Sequence, residues 1–80
     1  MDRYINLTEE EIKLGFVSSC VEFVALKLKT SFQDAYQRLK RADMLKNYIY
    51  QCYDALHSDS RENVTDELVN LLIRRETKLV

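Results

Sequence analysis

The sequence predicts an all-α protein, a single compact domain of four helices joined by short connections across residues 1–80. Three observations support this fold class. The chain has no proline and only one glycine, whereas hairpins and tight turns depend on these residues. Apolar residues recur at three- and four-residue steps, the spacing of helices packed on a core. Helix-start signals divide the chain into four such segments.

Composition and charge restrict the classes of function. The chain has 80 residues, 46% of them apolar and 31% charged, which is typical of one globular domain. Twelve basic and thirteen acidic residues leave a net charge of −1, so nucleic-acid binding by phosphate neutralisation is not favoured. No apolar run approaches the about 20 residues of a membrane span, and the N-terminus lacks a secretory signal pattern. We therefore expect a cytoplasmic protein that does not associate with membranes.

The first helix is predicted from a capping box formed by Thr8 and Glu11, and it should run to about Lys29. Residues 2–6 form a short lead-in that is too short for an independent strand. Apolar residues cover most of the circumference of this helix, which is typical of a helix surrounded by others. The stripe that we expect to face the core consists of Ile12, Phe16, Val17, Cys20, Val21, Val24 and Leu28.

Three further helices follow, each with its own start signal. A serine or aspartate precedes each one, where its side-chain oxygen can accept a hydrogen bond from a free backbone N–H. The four caps are thus Thr8, Ser31, Asp43 and Asp59, and the helices should end near Lys29, Arg41, His57 and Glu76. The third helix carries an apolar stripe of Leu45, Tyr48, Ile49, Cys52 and Leu56.

The polar side of the third helix is a first candidate binding site. Tyr50, Tyr53 and His57 fall on the side away from the apolar stripe, with Asp54 beside them. A site there would respond to pH, because histidine titrates near neutrality. Alternatively, His57 ends the helix and bonds its last carbonyls, while Tyr53 packs sideways. The sequence leaves both interpretations open.

Phe23 and Leu26, near the edge of the apolar arc of the first helix, are the second candidate binding site. The other helices each offer about one stripe, so part of the first helix should stay uncovered in a single chain. An exposed apolar surface of roughly a few hundred Å² usually marks an association site, and twofold pairing is a common way to cover it. We therefore expect a homodimer or another protein partner. The alternative is a cover within one chain, formed by Tyr4, Ile5, Leu79 and Val80.

The sequence contains no arrangement typical of an enzyme. It has a single histidine and neither a glycine-rich phosphate loop nor a metalloprotease motif, so no nucleophile and base are paired. Cys20 and Cys52 lie on apolar stripes without the spacing of metal ligands, and we expect two buried, reduced thiols. The prediction is a non-enzymatic protein without a cofactor or metal.

A small helix-turn-helix protein that binds nucleic acid or regulates transcription is the alternative, because a tight turn joins the second and third helices. The third helix would be the recognition helix, offering Lys46, Asn47 and Gln51 but no arginine. Major-groove readers usually present arginine or lysine to guanine and to phosphates. Nucleic-acid binding therefore ranks behind protein interaction.

Residues 43–58 also resemble the signature of a known family of short bacterial proteins, catalogued as domain of unknown function 3791. The matching positions are Tyr48, Ile49, Tyr53, Asp54, Leu56 and His57, with Ser58 in place of a threonine. The resemblance covers about residues 16–72. It implies a small helical bacterial protein without an established activity. Genes of this family often lie beside one for an ADP-ribosyltransferase-like protein, which resembles a toxin–antitoxin arrangement and implies an antitoxin or accessory partner.

Overall fold

The computed structural model describes residues 8–79, the side chain of Leu79 excepted. Its elements are α1 (Glu9–Leu28), α2 (Phe32–Arg41), a π-helical segment (Leu45–Tyr50), α3 (Tyr53–Leu56) and α4 (Arg61–Leu79). No strand occurs in this range, and the predicted all-α fold class is confirmed. No helix in the described part is long and apolar enough to cross a membrane. The predicted lead-in of residues 2–6 lies outside the described residues, as do Tyr4, Ile5, Val80 and the Leu79 side chain, which form the alternative cover of the first helix.

α1 and α2 begin at the predicted caps. Thr8 Oγ1 accepts a hydrogen bond from the Glu11 backbone N–H (3.1 Å), and the Glu11 carboxylate accepts one from the Thr8 N–H (2.8 Å). This reciprocal pair is the predicted capping box. Ser31 Oγ accepts a hydrogen bond from the Asp34 N–H at 3.0 Å. Both starts are therefore fixed by residues within four positions of the helix they open.

The prediction that Asp43 caps the third helix is wrong. Asp43 has a left-handed φ of 61° and ends α2, much as Lys29, with φ of 59°, ends α1. In both turns the next N–H bonds to the carbonyl five residues back, at 2.9 Å: Thr30 to Ala25, and Met44 to Leu39. The Asp43 carboxylate accepts a hydrogen bond from the side-chain amide of Asn47 at 2.8 Å. It therefore does not cap a backbone N–H.

The prediction of one continuous third helix is also wrong. Leu45–Tyr50 is π-helical, and the Ile49 N–H donates to the Met44 carbonyl, five residues back, at 2.8 Å. A turn then leads to the four-residue α3, and neither element has a side-chain cap. Met44 and Ile49 are fully buried, so tertiary packing holds both ends of the wide turn. The predicted stripe nevertheless meets the core: Ile49 and Leu56 are buried, and Leu45, Tyr48 and Cys52 are half-buried against it.

α4 starts one residue later than predicted and extends beyond the predicted end, to Leu79. Ser60 Oγ accepts a hydrogen bond from the Asn63 N–H at 3.2 Å, whereas Asp59 accepts one from the Ser60 N–H at 2.7 Å. Ser60, which has the shorter side chain and lies next to the helix, therefore takes the capping role predicted for Asp59.

Two arginines tie the C-terminal ends of α2 and α4 together. Arg38 donates two hydrogen bonds to the Glu76 carboxylate, both 2.7 Å long. Arg75 donates to the carbonyl of Ala42 at 3.0 Å, which satisfies a carbonyl at the end of α2 that has no helical partner. These contacts hold the last turns of α4 against the end of α2.

The core lies on one side of α1, against α2, the π-helical segment and α4. Its buried members are Cys20, Val21, Val24, Ala25, Ala35, Leu39, Ala42, Met44, Ile49, Leu56, Val64, Leu68, Val69 and Leu72. The prediction of Ile12 as a core residue is wrong, since its side chain is 43% exposed. Ile12 and Val21 are separated by nine residues, about two and a half turns, and therefore lie on opposite sides of the helix.

The two cysteines are both free thiols but differ in burial. Cys20 is buried in the core, and burial raises the pKa of its thiol to about 11. Cys52 is half-buried, because it lies in the turn between the π-helical segment and α3. The expectation of a buried thiol is thus confirmed for Cys20 and only partly met by Cys52.

Candidate protein-interaction surface

The side of α1 that faces away from the core presents apolar side chains to solvent. Leu26 is 69% exposed and Ile12 is 43% exposed. Gly15 and Ser19, also exposed, lie between them, and Phe23 is half-buried. These five residues, which we name the outer face of α1, are three or four residues apart and therefore form one continuous strip. α1 is apolar on both of its sides.

A shallow groove of about 570 Å³ runs between the outer face of α1 and the start of α4. Phe23 and Leu26 supply its apolar lining. The guanidinium of Arg61 lies over the Phe23 ring, with Cζ 4.4 Å from the ring centroid, where a cation is attracted to the ring face. Lys27 Nζ lies 3.0 Å from the Asp66 carboxylate. The groove thus combines apolar side chains with charges of both signs.

An aromatic cluster adjoins this groove where α3 meets α1. The rings of Tyr53 and His57 are stacked, with centroids 4.4 Å and planes 1° apart. Phe16 packs edge-on against Tyr53, with a centroid distance of 5.2 Å. A cavity of about 280 Å³ is lined by Phe16 and His57, and also by Phe23 and Arg61 of the groove. The cluster and the groove therefore form one surface.

His57 is held by its own helix. Its Nδ1 donates a hydrogen bond to the Tyr53 carbonyl at 2.8 Å, and Ser58 Oγ donates one to the Asp54 carbonyl at 3.0 Å. The Tyr53 carbonyl also accepts the His57 backbone N–H at 2.8 Å, and the Asp54 carbonyl at the end of α3 is satisfied by the serine hydroxyl. The interpretation of His57 as a helix-ending residue is confirmed, and Tyr53 packs against its ring. The side chain of Asp54 is exposed near the end of α3.

Tyr50 belongs to a different part of the surface. Lys13 Nζ lies 5.6 Å from the centroid of the Tyr50 ring and 5.9 Å from that of Tyr53. Tyr50 lines a second groove, of about 430 Å³, together with Leu14 and Tyr36. This groove lies between α1, α2 and the π-helical segment.

Four of the six predicted binding residues share one surface: Phe23, Leu26, Tyr53 and His57. Asp54 lies at its edge, and Tyr50 faces the second groove. Ile12 and Arg61 are among the members that sequence reasoning missed. The spacing of 14 residues, close to four turns, would have placed Ile12 on the same side as Leu26. Nothing in the sequence pairs Arg61 with Phe23, because their contact depends on how α4 packs.

The sequence matches a protein family over most of its length. The model of the family described as "Protein of unknown function (DUF3791)" matches residues 15–75. The chain belongs to this family. The resemblance drawn from the signature in residues 43–58 is thereby confirmed. No curated protein and no solved structure matches the chain. The DUF3791 range contains the groove, the aromatic cluster and all of the outer face except Ile12.

The side chains of the outer face, the groove and the aromatic cluster are suited to contact with another protein. Apolar and aromatic groups bordered by charges can lose water on association and pair with opposite charges, as in protein interfaces. The Cys20 thiol, with its raised pKa of about 11, stays protonated at neutral pH and is a poor nucleophile. Within residues 8–79, no three His, Cys, Asp or Glu side chains form a group able to hold a metal ion.

Proposed function

We propose that this DUF3791 protein is a non-enzymatic protein-interaction module of the bacterial cytoplasm. Its binding surface is the outer face of α1 with the adjoining groove. The observation that carries the proposal is the exposure of apolar side chains on that face, above all Leu26 at 69%. Burying a leucine side chain contributes about 2 kcal/mol. A partner that covers this face would therefore bind more tightly by burying apolar side chains that the described part of the chain leaves exposed.

The groove favours an amphipathic segment of a partner protein. Phe23 and Leu26 can receive apolar side chains, since both line the groove. Arg61 and Asp66 supply one charge of each sign nearby. A helix laid along such a groove binds through its apolar face, and charges at the rim set its orientation.

The family resemblance supports a specific class of partner. Genes of this family often lie beside one for an ADP-ribosyltransferase-like protein, in an arrangement resembling a toxin–antitoxin pair. The proposed partner is therefore an ADP-ribosyltransferase-like toxin, and this chain is its antitoxin or an accessory protein. Binding, rather than chemistry by this chain, would account for neutralisation.

Nucleic-acid binding receives less support from the geometry. A helix-turn-helix protein lays a continuous recognition helix in the major groove. The segment expected to do so consists of six π-helical residues, a turn and the four-residue α3. Lys46 and Asn47 are exposed on it, but the Asn47 side chain is bonded to Asp43.

Leu26→Asp tests the proposal, with Ile73→Asp as the matched control. Ile73 is also an exposed aliphatic residue in a helix, at 47%, and it lines a separate cavity near the end of α4. Both variants should keep the far-UV spectrum of the wild type, because neither side chain is in the core. Only Leu26→Asp should weaken binding, by at least about tenfold, because it places a charge in the apolar contact.

Binding is measured by capturing partners from the native lysate on immobilised wild type, purifying the identified protein, and titrating it against each variant by calorimetry. The ADP-ribosyltransferase-like neighbour is titrated in parallel. Equal affinity of wild type and Leu26→Asp for every partner would refute the assignment of the surface. Equal losses in both variants would show a general effect of added charge and would also contradict it.

A further inference from the structure

We propose that a second copy of this chain occupies the outer face of α1, with the two α1 helices packed antiparallel about a twofold axis at Ser19. The inference rests on the proposed function, because it adds a second copy of the chain, alongside the proposed toxin, as a partner of the same surface. Three observations carry it: the placement of the apolar side chains, the placement of the charges along α1, and the open space at Gly15.

The apolar ends of the outer face are symmetric about Ser19. Ile12 lies seven residues before Ser19, and Leu26 lies seven residues after it. In an antiparallel pair centred on Ser19, Ile12 of each copy therefore lies opposite Leu26 of the other. Both side chains are exposed in the single chain, at 43% and 69%, and this pairing removes both from water.

The charges of α1 have a matching symmetry. Glu11 and Lys29 are 18 residues apart, as are Glu9 and Lys27, and 18 residues make about five turns, so each pair lies on one flank. A twofold axis between antiparallel helices places each flank against the same flank of the other copy. Glu11 therefore approaches Lys29 of the second copy, and Glu9 approaches its Lys27. A parallel pair would instead bring the three glutamates of the first turn together.

These charges are accessible although they have contacts within the chain. The Glu9 side chain is 82% exposed and lies 3.8 Å from Lys13, and Lys27 is 54% exposed beside Asp66. In the pair, Glu9 of one copy joins Lys27 and Asp66 of the other copy in one network of charges. The capping box uses Oε1 of Glu11, which leaves Oε2 to face the second copy. Exposed ion pairs of this kind set orientation more than affinity.

Gly15 supplies the shape argument. A glycine inside a helix weakens it relative to alanine, and a Cβ built at Gly15 meets nothing within 4 Å. The described chain therefore offers no steric reason for a glycine at this position. In the antiparallel pair, Ser19 lies on the axis, and Gly15 lies level with Phe23 of the other copy, where the missing Cβ leaves room for that ring.

The size of the contact sets its expected strength. α1 has 20 residues, roughly 30 Å at about 1.5 Å per residue. A single pair of such helices falls at or below the about 1,200 Å² at which stable interfaces begin. Arg61, which lies over the Phe23 ring at the border of the outer face, can add to it. We therefore expect a reversible dimer that dissociates in the micromolar range.

Cysteine cross-linking tests the position of the axis. In Ser19→Cys the two new thiols meet at the axis. Ser18→Cys is the control, because position 18 is also exposed on α1 but points about 100° away from the axis. After oxidation with copper phenanthroline, Ser19→Cys should form a covalent dimer at least about tenfold faster than Ser18→Cys, because a disulfide needs closely placed Cβ atoms. The wild type, with Cys20 and Cys52, gives the background rate.

Gly15→Gln tests the close approach without disturbing the fold. The new side chain enters open space, and glutamine is a better helix former than glycine, so the monomer should be at least as stable as the wild type. Its dimer should dissociate at least about tenfold more readily, because the helices can no longer approach. Sedimentation equilibrium over a range of concentrations measures both proteins.

The outcomes separate this inference from the proposed function. A wild type that stays monomeric up to millimolar concentration overturns the dimer, whereas loss of a different partner in Leu26→Asp would still support the interaction surface. A dimer that cross-links equally through both cysteines, or that is unaffected by Gly15→Gln, uses another surface and also overturns the inference. A wild-type dimer with the expected changes in both variants supports it.

Discussion

The two N-terminal helices and residues 43–57 are specified in different ways. α1 and α2 start where Thr8 and Ser31 bond to nearby backbone N–H groups, so their starts follow from local sequence. The π-helical segment and α3 have no side-chain caps, and buried residues hold them in place. A capped helix is therefore recognisable from its own residues, whereas an uncapped segment takes its geometry from what it packs against.

The largest effect should come from removing the buried support of the π-helical segment. Met44 is fully buried and its carbonyl accepts the Ile49 N–H. Met44→Ala should lower the free energy of unfolding by about 2–5 kcal/mol, because it removes buried contacts and leaves a cavity. Urea unfolding measures the change. Leu14→Ala is the control, since Leu14 is 52% exposed and its truncation should cost much less. Similar losses of unfolding free energy in both variants would contradict the claim that buried residues hold the π-helical segment in place.

The Arg38–Glu76 pair should have the second largest effect. Its side chains are 29% and 28% exposed, and Glu76→Gln should lower the free energy of unfolding at pH 7 by about 1–2 kcal/mol. The hydrogen bond from Arg38 lowers the pKa of Glu76 below its ordinary value of 4.5. Its stabilising contribution is therefore present above that value and is lost as pH falls through the lowered pKa.

The pH dependence gives this pair a separate test. Between pH 7 and the acid side of 4.5, the wild type should lose more stability than Glu76→Gln, which has no carboxylate to protonate. Glu67→Gln, at an exposed position of α4, serves as the control for the loss of one carboxylate. Parallel profiles for the wild type and Glu76→Gln would show that the ion pair does not stabilise the junction of α2 and α4.

Much of the fold was predictable because its signals are local. The cap at Thr8 and the apolar stripe of residues 45–56 depend on neighbouring positions, and both were recovered. The left-handed turn at Asp43 was not, because aspartate is common both as a cap and at positive φ. The π-helical turn has no local signal; it depends on Met44 and Ile49 meeting the rest of the core.

The candidate surface also combines features with a local sequence signal and features that depend on packing between helices. Leu26 was predictable because α1 has more apolar positions than its neighbours can cover. The stacking of Tyr53 on His57 follows from their i, i+4 spacing in a helix. The contact of Arg61 with Phe23 joins α4 to α1, and such contacts between helices cannot be read from a single sequence.

Removing a true cap should have a moderate effect. Thr8→Ala deletes the side chain that accepts the Glu11 N–H and should cost about 1 kcal/mol of unfolding free energy. Asn47→Ala deletes the exposed bond to Asp43, the residue that the sequence predicts as a cap, and should cost less than about 0.5 kcal/mol. Chemical denaturation of both variants gives the difference. A larger loss for Asn47→Ala would mean that Asp43 organises the segment after all.

The smallest effects should come from the two left-handed residues that end α1 and α2. Lys29 and Asp43 have φ of 59° and 61°, a conformation that costs most L-residues about 1–2 kcal/mol. Glycine avoids this cost but adds roughly 0.5–1 kcal/mol of unfolded-state entropy. Lys29→Gly should therefore stabilise the monomer slightly, by about 0.5–1 kcal/mol, the difference between the two terms.

Asp43→Gly should gain less than Lys29→Gly, although the two backbone angles are nearly equal. Aspartate tolerates the left-handed region better than lysine, and its replacement also removes the hydrogen bond to Asn47. Both variants are compared by urea unfolding at low protein concentration, so that any effect of Lys29 on self-association does not enter. An equal gain in both would show that the two turns differ only in sequence. A gain for Lys29→Gly alone would show that the end of α2 already contains a residue suited to its turn, whereas the end of α1 does not.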